Sequence, residues 1–111
     1  MKKEKDENKL LVFRRYKKKE GQKQLKHPKL IVDASEKKYG YMGLTENRKN
    51  GHHSNIPLEK NPKHNDPRKA YLRKDIKYDD KQQFGHILDN YKLSKKDKQY
   101  IIDFIEKHKK R

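Results

Sequence analysis

His52 and His53 stand side by side in KNGHHSNIP, His64 follows in KHNDPR, and Arg48, Arg68 and Arg73 lie in the same part of the chain. These residue types suit metal-independent cleavage of RNA. That reaction needs a base to take the 2′-hydroxyl proton, an acid to protonate the leaving 5′-oxygen, and a cation to hold the charged phosphorane. Imidazole titrates near neutrality and serves the first two roles. A guanidinium fork matches phosphate oxygens and serves the third. Neighbouring residues of an extended segment point to opposite faces, so the expected dyad is one of His52 and His53 with His64 or His86. The scissile phosphate would be held by Arg48, Arg68 or Arg73. The competing reading of the same residues is a solvated phosphate-binding loop without catalysis. By default His27 and His86, beside turns, and His108, near a helix end, read as structural.

A metal is the second chemistry to weigh. HHSNIPL resembles the start of an HNH-type nuclease motif, with Asn61 or Asn65 as its middle residue. No His or Asn follows at the short spacing that finger requires. Glu59, Asp66, Asp79 and Asp80 show no metal-ligand spacing. The chain has no cysteine, which excludes disulfides and Cys-ligated zinc. No metal and no cofactor is expected.

Binding is the third. The 111 residues carry a net charge of +16, with 43% charged and 29% hydrophobic residues. A polyanion is the natural counterpart, and nucleic acid offers a row of phosphates whose neutralisation releases counterions. Tyr39, Tyr41 and Tyr71 are interleaved with Lys37, Lys38, Lys49, Arg68, Arg73 and Lys74. Aromatic faces on a basic sheet stack bases while the cations take phosphates. RNA is favoured over DNA; an acidic protein surface is the other partner that the charge suits. For Tyr16, Tyr91 and Tyr100 core packing is the expected role.

These residues must be positioned by few elements, because so little apolar material builds only a small core. Residues 1–8, MKKEKDEN, lack periodicity and read as a disordered basic tail. Residues 9–111 read as a single nucleic-acid-binding domain. Strands are expected over KLLVFRRY, KLIVDA, Tyr39–Thr45 and RKAYLRKDIKY. Tyr39 and Tyr41 fall on the opposite face from Met42 and Leu44. Residues 46–67 read as a long polar loop anchored by Ile56 and Leu58. KQQFGHILDNYKL suggests a helical turn at Phe84, Ile87 and Leu88. Ser94 and Asp97 resemble a capping box, and Tyr100, Ile101, Phe104, Ile105 and His108 recur at helical spacing, which predicts an amphipathic helix from Lys95 to about Lys109. The expected fold class is α+β: a small twisted antiparallel sheet or partly open β-barrel with a C-terminal amphipathic helix.

YGYMGLTENRKNGHHSNIPLEKNP followed by RKAYLRK resembles small basic proteins of bacterial mobile elements, similar in arrangement to barrel toxins of the PemK/MazF kind. The resemblance spans about residues 29–110 and rests on strand order, the polar loop and the closing helix. The Gly-Asp step and the Arg-Pro step usual in that family are absent. The resemblance implies sequence-selective RNA cleavage, an antitoxin partner, a homodimer, and a role for a loop arginine, here Arg48. The expectation is therefore a cytoplasmic nucleic-acid-binding protein, in its sharpest form a metal-independent endoribonuclease toxin. The alternative is a non-enzymatic phage or mobile-element interaction protein that binds DNA or an acidic protein surface. No apolar run approaches the roughly 20 residues that cross a bilayer, so no membrane association is expected.

Overall fold

The computed structural model describes residues 8–17, 19–20, 23–24 and 27–109. Of the tail expected over residues 1–8, only Asn8 falls within them; its side-chain oxygen accepts a 3.0 Å hydrogen bond from Lys81 Nζ. The strands are β1 (Phe13–Tyr16), β2 (Lys19–Glu20), β3 (Lys23–Gln24), β4 (Lys29–Ala34), β5 (Lys38–Thr45), β6 (Lys49–Asn50), β7 (His53–Ser54), β8 (Ile56–Pro57), β9 (Tyr71–Leu72), β10 (Lys77–Asp80) and β11 (Phe84–Ile87). A 3-10 turn covers Lys81–Gln83, and helix α1 spans Lys95–Lys109. The architecture is α+β, an antiparallel sheet that does not close, with the helix at its C-terminal end.

Among the described residues, the main sheet has seven strands in the order β11-β1-β4-β5-β9-β8, with β10 also pairing β5. The long strand β5 therefore serves two partners on one edge. Its first half pairs β10 (Tyr39↔Asp79, Tyr41↔Lys77), and its last two residues pair β9 (Leu44↔Leu72, Thr45↔Tyr71). This accounts for the expected strand RKAYLRKDIKY appearing as two short ones: the chain bends over residues 73–76 to pass from one partnership to the other.

The connection from β10 to β11 forces the sheet to curl. Laid flat, β10 and β11 would be four strand spacings apart, about 19 Å. The link is only Lys81–Gln83 in a 3-10 turn, which at about 2 Å per residue spans less than half of that. The strands β11-β1-β4-β5-β10 consequently wrap into a half-barrel. Phe84–Ile87 is a strand, which corrects the helical turn expected there. Phe84 and Ile87 pair with Tyr16 and Arg14 on β1, and lateral pairing outweighs a local pattern too short to sustain a helix.

Both faces of this sheet are covered. The convex side carries an aliphatic core of Phe13, Leu30, Val32, Met42, Leu44, Ile56, Leu72 and Ile101, among others, with Phe104 and Ile105 of α1 packed on it. Complete burial of a side chain such as Leu30 or Ile101 stabilises by about 1.5–3 kcal/mol. The concave side holds Tyr16, Ile31, Tyr39, Tyr41 and Phe84. Tyr16 on β1 donates to Asp79 Oδ2 on β10 at 2.5 Å, a bond that bridges the half-barrel across the intervening β4 and β5. On the other face of β5 from Tyr39 and Tyr41, Gly40 is required for close packing: a Cβ would stand 2.7 Å from the Tyr78 ring and 3.0 Å from Asp33 Cβ.

The helix start departs from the expected capping box in an informative way. The Asp97 N–H donates to Ser94 Oγ at 3.1 Å, as a cap requires. The buried Asp97 carboxylate does not fold back on its own helix. It accepts from the backbone N–H groups of Glu59 and Lys60 at 2.9 and 3.2 Å, tying α1 to the loop after β8. Ile101 is fully buried, whereas Tyr100, expected in the core, is 57% exposed.

Candidate functional site

Residues 46–67 contain regular structure. Strands β6 and β7 form a hairpin with Lys49 opposite Ser54 and Asn50 opposite His53. Gly51 and His52 make its turn, and Gly51 has φ +67°, a conformation that only glycine adopts readily at the first central position of a two-residue hairpin turn. Gly51 was the available signal for this hairpin, while Asn50 before it belongs to the strand and not to the turn. Asn55 fixes its base: its N–H donates to Arg48 O and its buried side-chain amide to Asn47 O, both at 2.9 Å.

This local fold decides where the histidines stand. His52 is at the hairpin tip and His53 on its second strand, both exposed. His64 lies elsewhere, in a turn whose N–H donates to Asn90 O at 2.8 Å. It lines a cavity walled by residues 60–67 and 89–94, of which neither His52 nor His53 is part. The expected pairing of the hairpin histidines with His64 is therefore not assembled in one cavity. His86, the other expected partner, is exposed on β11. Among the described residues, no three His, Asp or Glu side chains come together as a metal site.

The arginines divide. Arg68 grips Asp66 through Nε and Nη2 at 3.0 and 2.7 Å, and its Nη1 lies 3.0 Å from Glu46 Oε2. The guanidinium fork expected at a phosphate is here engaged by carboxylates, through the same bidentate match. The Arg68 pair holds the Asp66 carboxyl down to about 2. Arg73 lies along Gly43, where a Cβ would meet its Cδ at 3.2 Å, and its Nε is 3.8 Å from Asp75 Oδ1. Glycine at position 43 admits this side chain and that of Lys29. Arg48 remains exposed, beside β6.

Two of the three expected base-stacking tyrosines are core residues. Tyr39 is 2% and Tyr41 9% exposed. Phe84 meets Tyr39 and Tyr41 edge-on at 5.2 and 5.4 Å, and Tyr16 packs on both Phe84 and Tyr41. Cations cover the outer faces: Arg14 and Lys81 lie 5.1 and 5.3 Å from the Tyr39 ring centre, and Lys29 lies 5.4 Å from that of Tyr16. The alternation of the sequence was sound, but it pointed these rings into the half-barrel and not to solvent. The cations that reach these rings, Arg14, Lys29 and Lys81, come from β1, β4 and the 3-10 turn and not from the set interleaved with the tyrosines in sequence.

Tyr71 is different. It is half-buried on β9 between Thr45 and Pro57, and with Arg48, Lys49, Ser54, Asn55 and Pro57 it lines a cleft of about 410 Å³. One aromatic ring and two exposed cations are thus brought to one place at the base of the hairpin. Lys37 and Lys38 are exposed at the opposite end of β5, which over eight residues is about 23 Å away. Lys74 is exposed in the bend between β9 and β10. The surface expected as one patch is therefore split along β5, and the hairpin cleft is the part that combines charge with an aromatic face.

No helix among the described residues is long and apolar enough to cross a membrane. Comparison of the chain with protein-family models, with curated proteins and with solved structures found no match.

Proposed function

We propose that this chain is a basic, cytoplasmic nucleic-acid-binding protein that takes a single strand, RNA in preference to DNA, at the cleft beside the β6–β7 hairpin. The observation that carries the reading is the convergence of Arg48, Lys49 and Tyr71 on one cleft in a chain of net charge +16. Cations beside a half-exposed ring are what a single strand needs, because every base has a face to stack and every nucleotide a phosphate. Binding rather than cleavage is the form favoured, since the hairpin histidines and His64 line no common cavity.

Endoribonuclease activity is the second reading, and the observation in its favour is that Arg48, His52 and His53 belong to the same hairpin region. It carries with it the antitoxin partner and the homodimer that the barrel-toxin resemblance implies. A phage or mobile-element factor that binds DNA or an acidic protein is the rival without nucleic-acid chemistry.

One experiment separates them. The purified chain is incubated with end-labelled RNA and single-stranded DNA in the presence of EDTA. Retarded but intact RNA supports the binding reading, and Arg48→Ala with Lys49→Ala should then weaken the shift. Products ending in 2′,3′-cyclic phosphate, lost in the His52→Ala/His53→Ala double variant while the shift persists, would establish the ribonuclease. Absence of any shift at low salt would overturn both.

A further inference from the structure

A cavity of about 890 Å³ is lined by His64 and is not touched by the hairpin. Its two walls are residues 60–67 and 89–94, and they are fastened to each other. His64 N–H donates to Asn90 O at 2.8 Å, Lys92 N–H donates to Pro62 O at 2.9 Å, and Lys63 bridges Tyr91 between them. The first wall is anchored further by the Asp66–Arg68–Glu46 ion pairs, and its turn is set by Asn65 in the left-handed region at φ +64°. The cavity is thus largely preformed, which lowers the ordering cost of any occupant.

The groups lining it fall into spent and unspent. Asn61 accepts from Lys63 N–H and donates to Arg68 O, Ser94 donates to Glu59 and accepts from the Asp97 N–H, and Asp66 is held by Arg68. Lys60, Lys63 and Lys92 are exposed, and among the described residues none has a carboxylate within ion-pair distance. The side-chain amides of Asn65 and Asn90 and the carboxylate of Asp89 are likewise uncommitted among the described residues. Pro62 and Leu93 are buried and supply an apolar floor.

We infer that this cavity is a binding site for a nucleoside monophosphate, its phosphate held by Lys60, Lys63 and Lys92 and its base edge by Asn65, Asn90 and Asp89. Each part of the ligand answers a part of the cavity. Three ammonium groups against one unpaired carboxylate favour an anion. The volume lies within the range of small-molecule sites, about 300–1,000 Å³, and far exceeds what inorganic phosphate fills. Amide and carboxylate groups together offer both the donors and the acceptors that a base edge requires, and the proline and leucine floor suits its flat face. The nucleotide is either free or the phosphorylated end of a strand. Only the second source rests on the nucleic-acid reading of the hairpin cleft.

The test is calorimetric titration of the full chain at physiological salt with each of the four ribonucleoside 5′-monophosphates, with adenosine and with inorganic phosphate. At least one monophosphate should bind saturably at one per chain, at least tenfold tighter than adenosine or phosphate. The exposed pair Lys63→Gln/Lys92→Gln should weaken it at least tenfold with the thermal midpoint unchanged, and Arg48→Ala/Lys49→Ala should leave it intact. No saturable monophosphate binding, equal binding of inorganic phosphate, or binding unaffected by Lys63→Gln/Lys92→Gln would overturn the inference. The source is read from short oligoribonucleotides. A 5′-phosphorylated strand preferred over its 5′-hydroxyl form, with the preference lost in the lysine variant, identifies a strand end. Equal binding of the two forms alongside saturable monophosphate binding identifies the free nucleotide. Loss of strand binding in Arg48→Ala/Lys49→Ala reports separately on the hairpin cleft.

Discussion

Phe84 is the residue on which the concave core turns. It touches the rings of Tyr16, Tyr39 and Tyr41, and it is 6% exposed. Phe84→Ala should cost about 3–5 kcal/mol, read as a lowered urea midpoint, with Phe84→Leu costing less. Beside it, the Tyr16 hydroxyl is held well above the ordinary phenol pKa of 10.0, because burial penalises the phenolate and Asp79 accepts its proton. A group whose pKa is raised on folding contributes stability below its unfolded value, and this is lost as pH rises through that value and beyond. Stability should therefore decline above about pH 10. Tyr16→Phe should be less stable at neutral pH yet show a shallower alkaline decline in thermal midpoint. Parallel alkaline curves for the two proteins would count against the assignment.

At the scale of elements, one carboxylate couples the helix to the segment that follows β8. Asp97 accepts from Glu59 and Lys60 N–H groups at the start of the segment that walls the large cavity. Asp97→Ala leaves two backbone donors without their acceptor, which should cost about 1–3 kcal/mol. Hydrogen exchange at Glu59 and Lys60 should accelerate more than at Ile31 or Met42, which lie in the sheet. Asp97→Asn retains one acceptor oxygen and should fall between wild type and alanine. The β5 strand shows the same economy: one element of eight residues serves β4 on one edge and both β9 and β10 on the other.

Across the whole molecule, the charge of +16 makes affinity for a polyanion a function of salt. Each phosphate neutralised on a single strand contributes about 0.7 to the slope of log K against log salt. If Arg48 and Lys49 each take one phosphate, Arg48→Ala/Lys49→Ala should reduce the slope for RNA by about 1.4, measured by fluorescence anisotropy across a salt series. Arg68→Ala should leave that slope nearly unchanged, because its guanidinium is engaged by Asp66 and Glu46. An equal reduction for Arg68→Ala would place phosphate at the ion pair instead of the hairpin.

Local pattern in the sequence was enough to determine the α+β class, the strands around Leu30–Val32 and Tyr39–Thr45, the facing of Met42 and Leu44 against Tyr39 and Tyr41, and the helix from Lys95. Each of these depends on periodicity or on a cap within a few residues. It also determined the charge, which is additive and needs no fold. Tertiary structure alone decided that neither face of β5 meets solvent. The three-residue link between β10 and β11 curls the sheet over Tyr39 and Tyr41, and that proximity joins residues more than forty positions apart. The fold likewise decided that Arg68 meets Glu46, that Asp97 serves Glu59 and Lys60, and that His64 stands apart from His52 and His53. Residue type specifies what a side chain can bind, but its partner is set by what the folded backbone brings within a few ångströms.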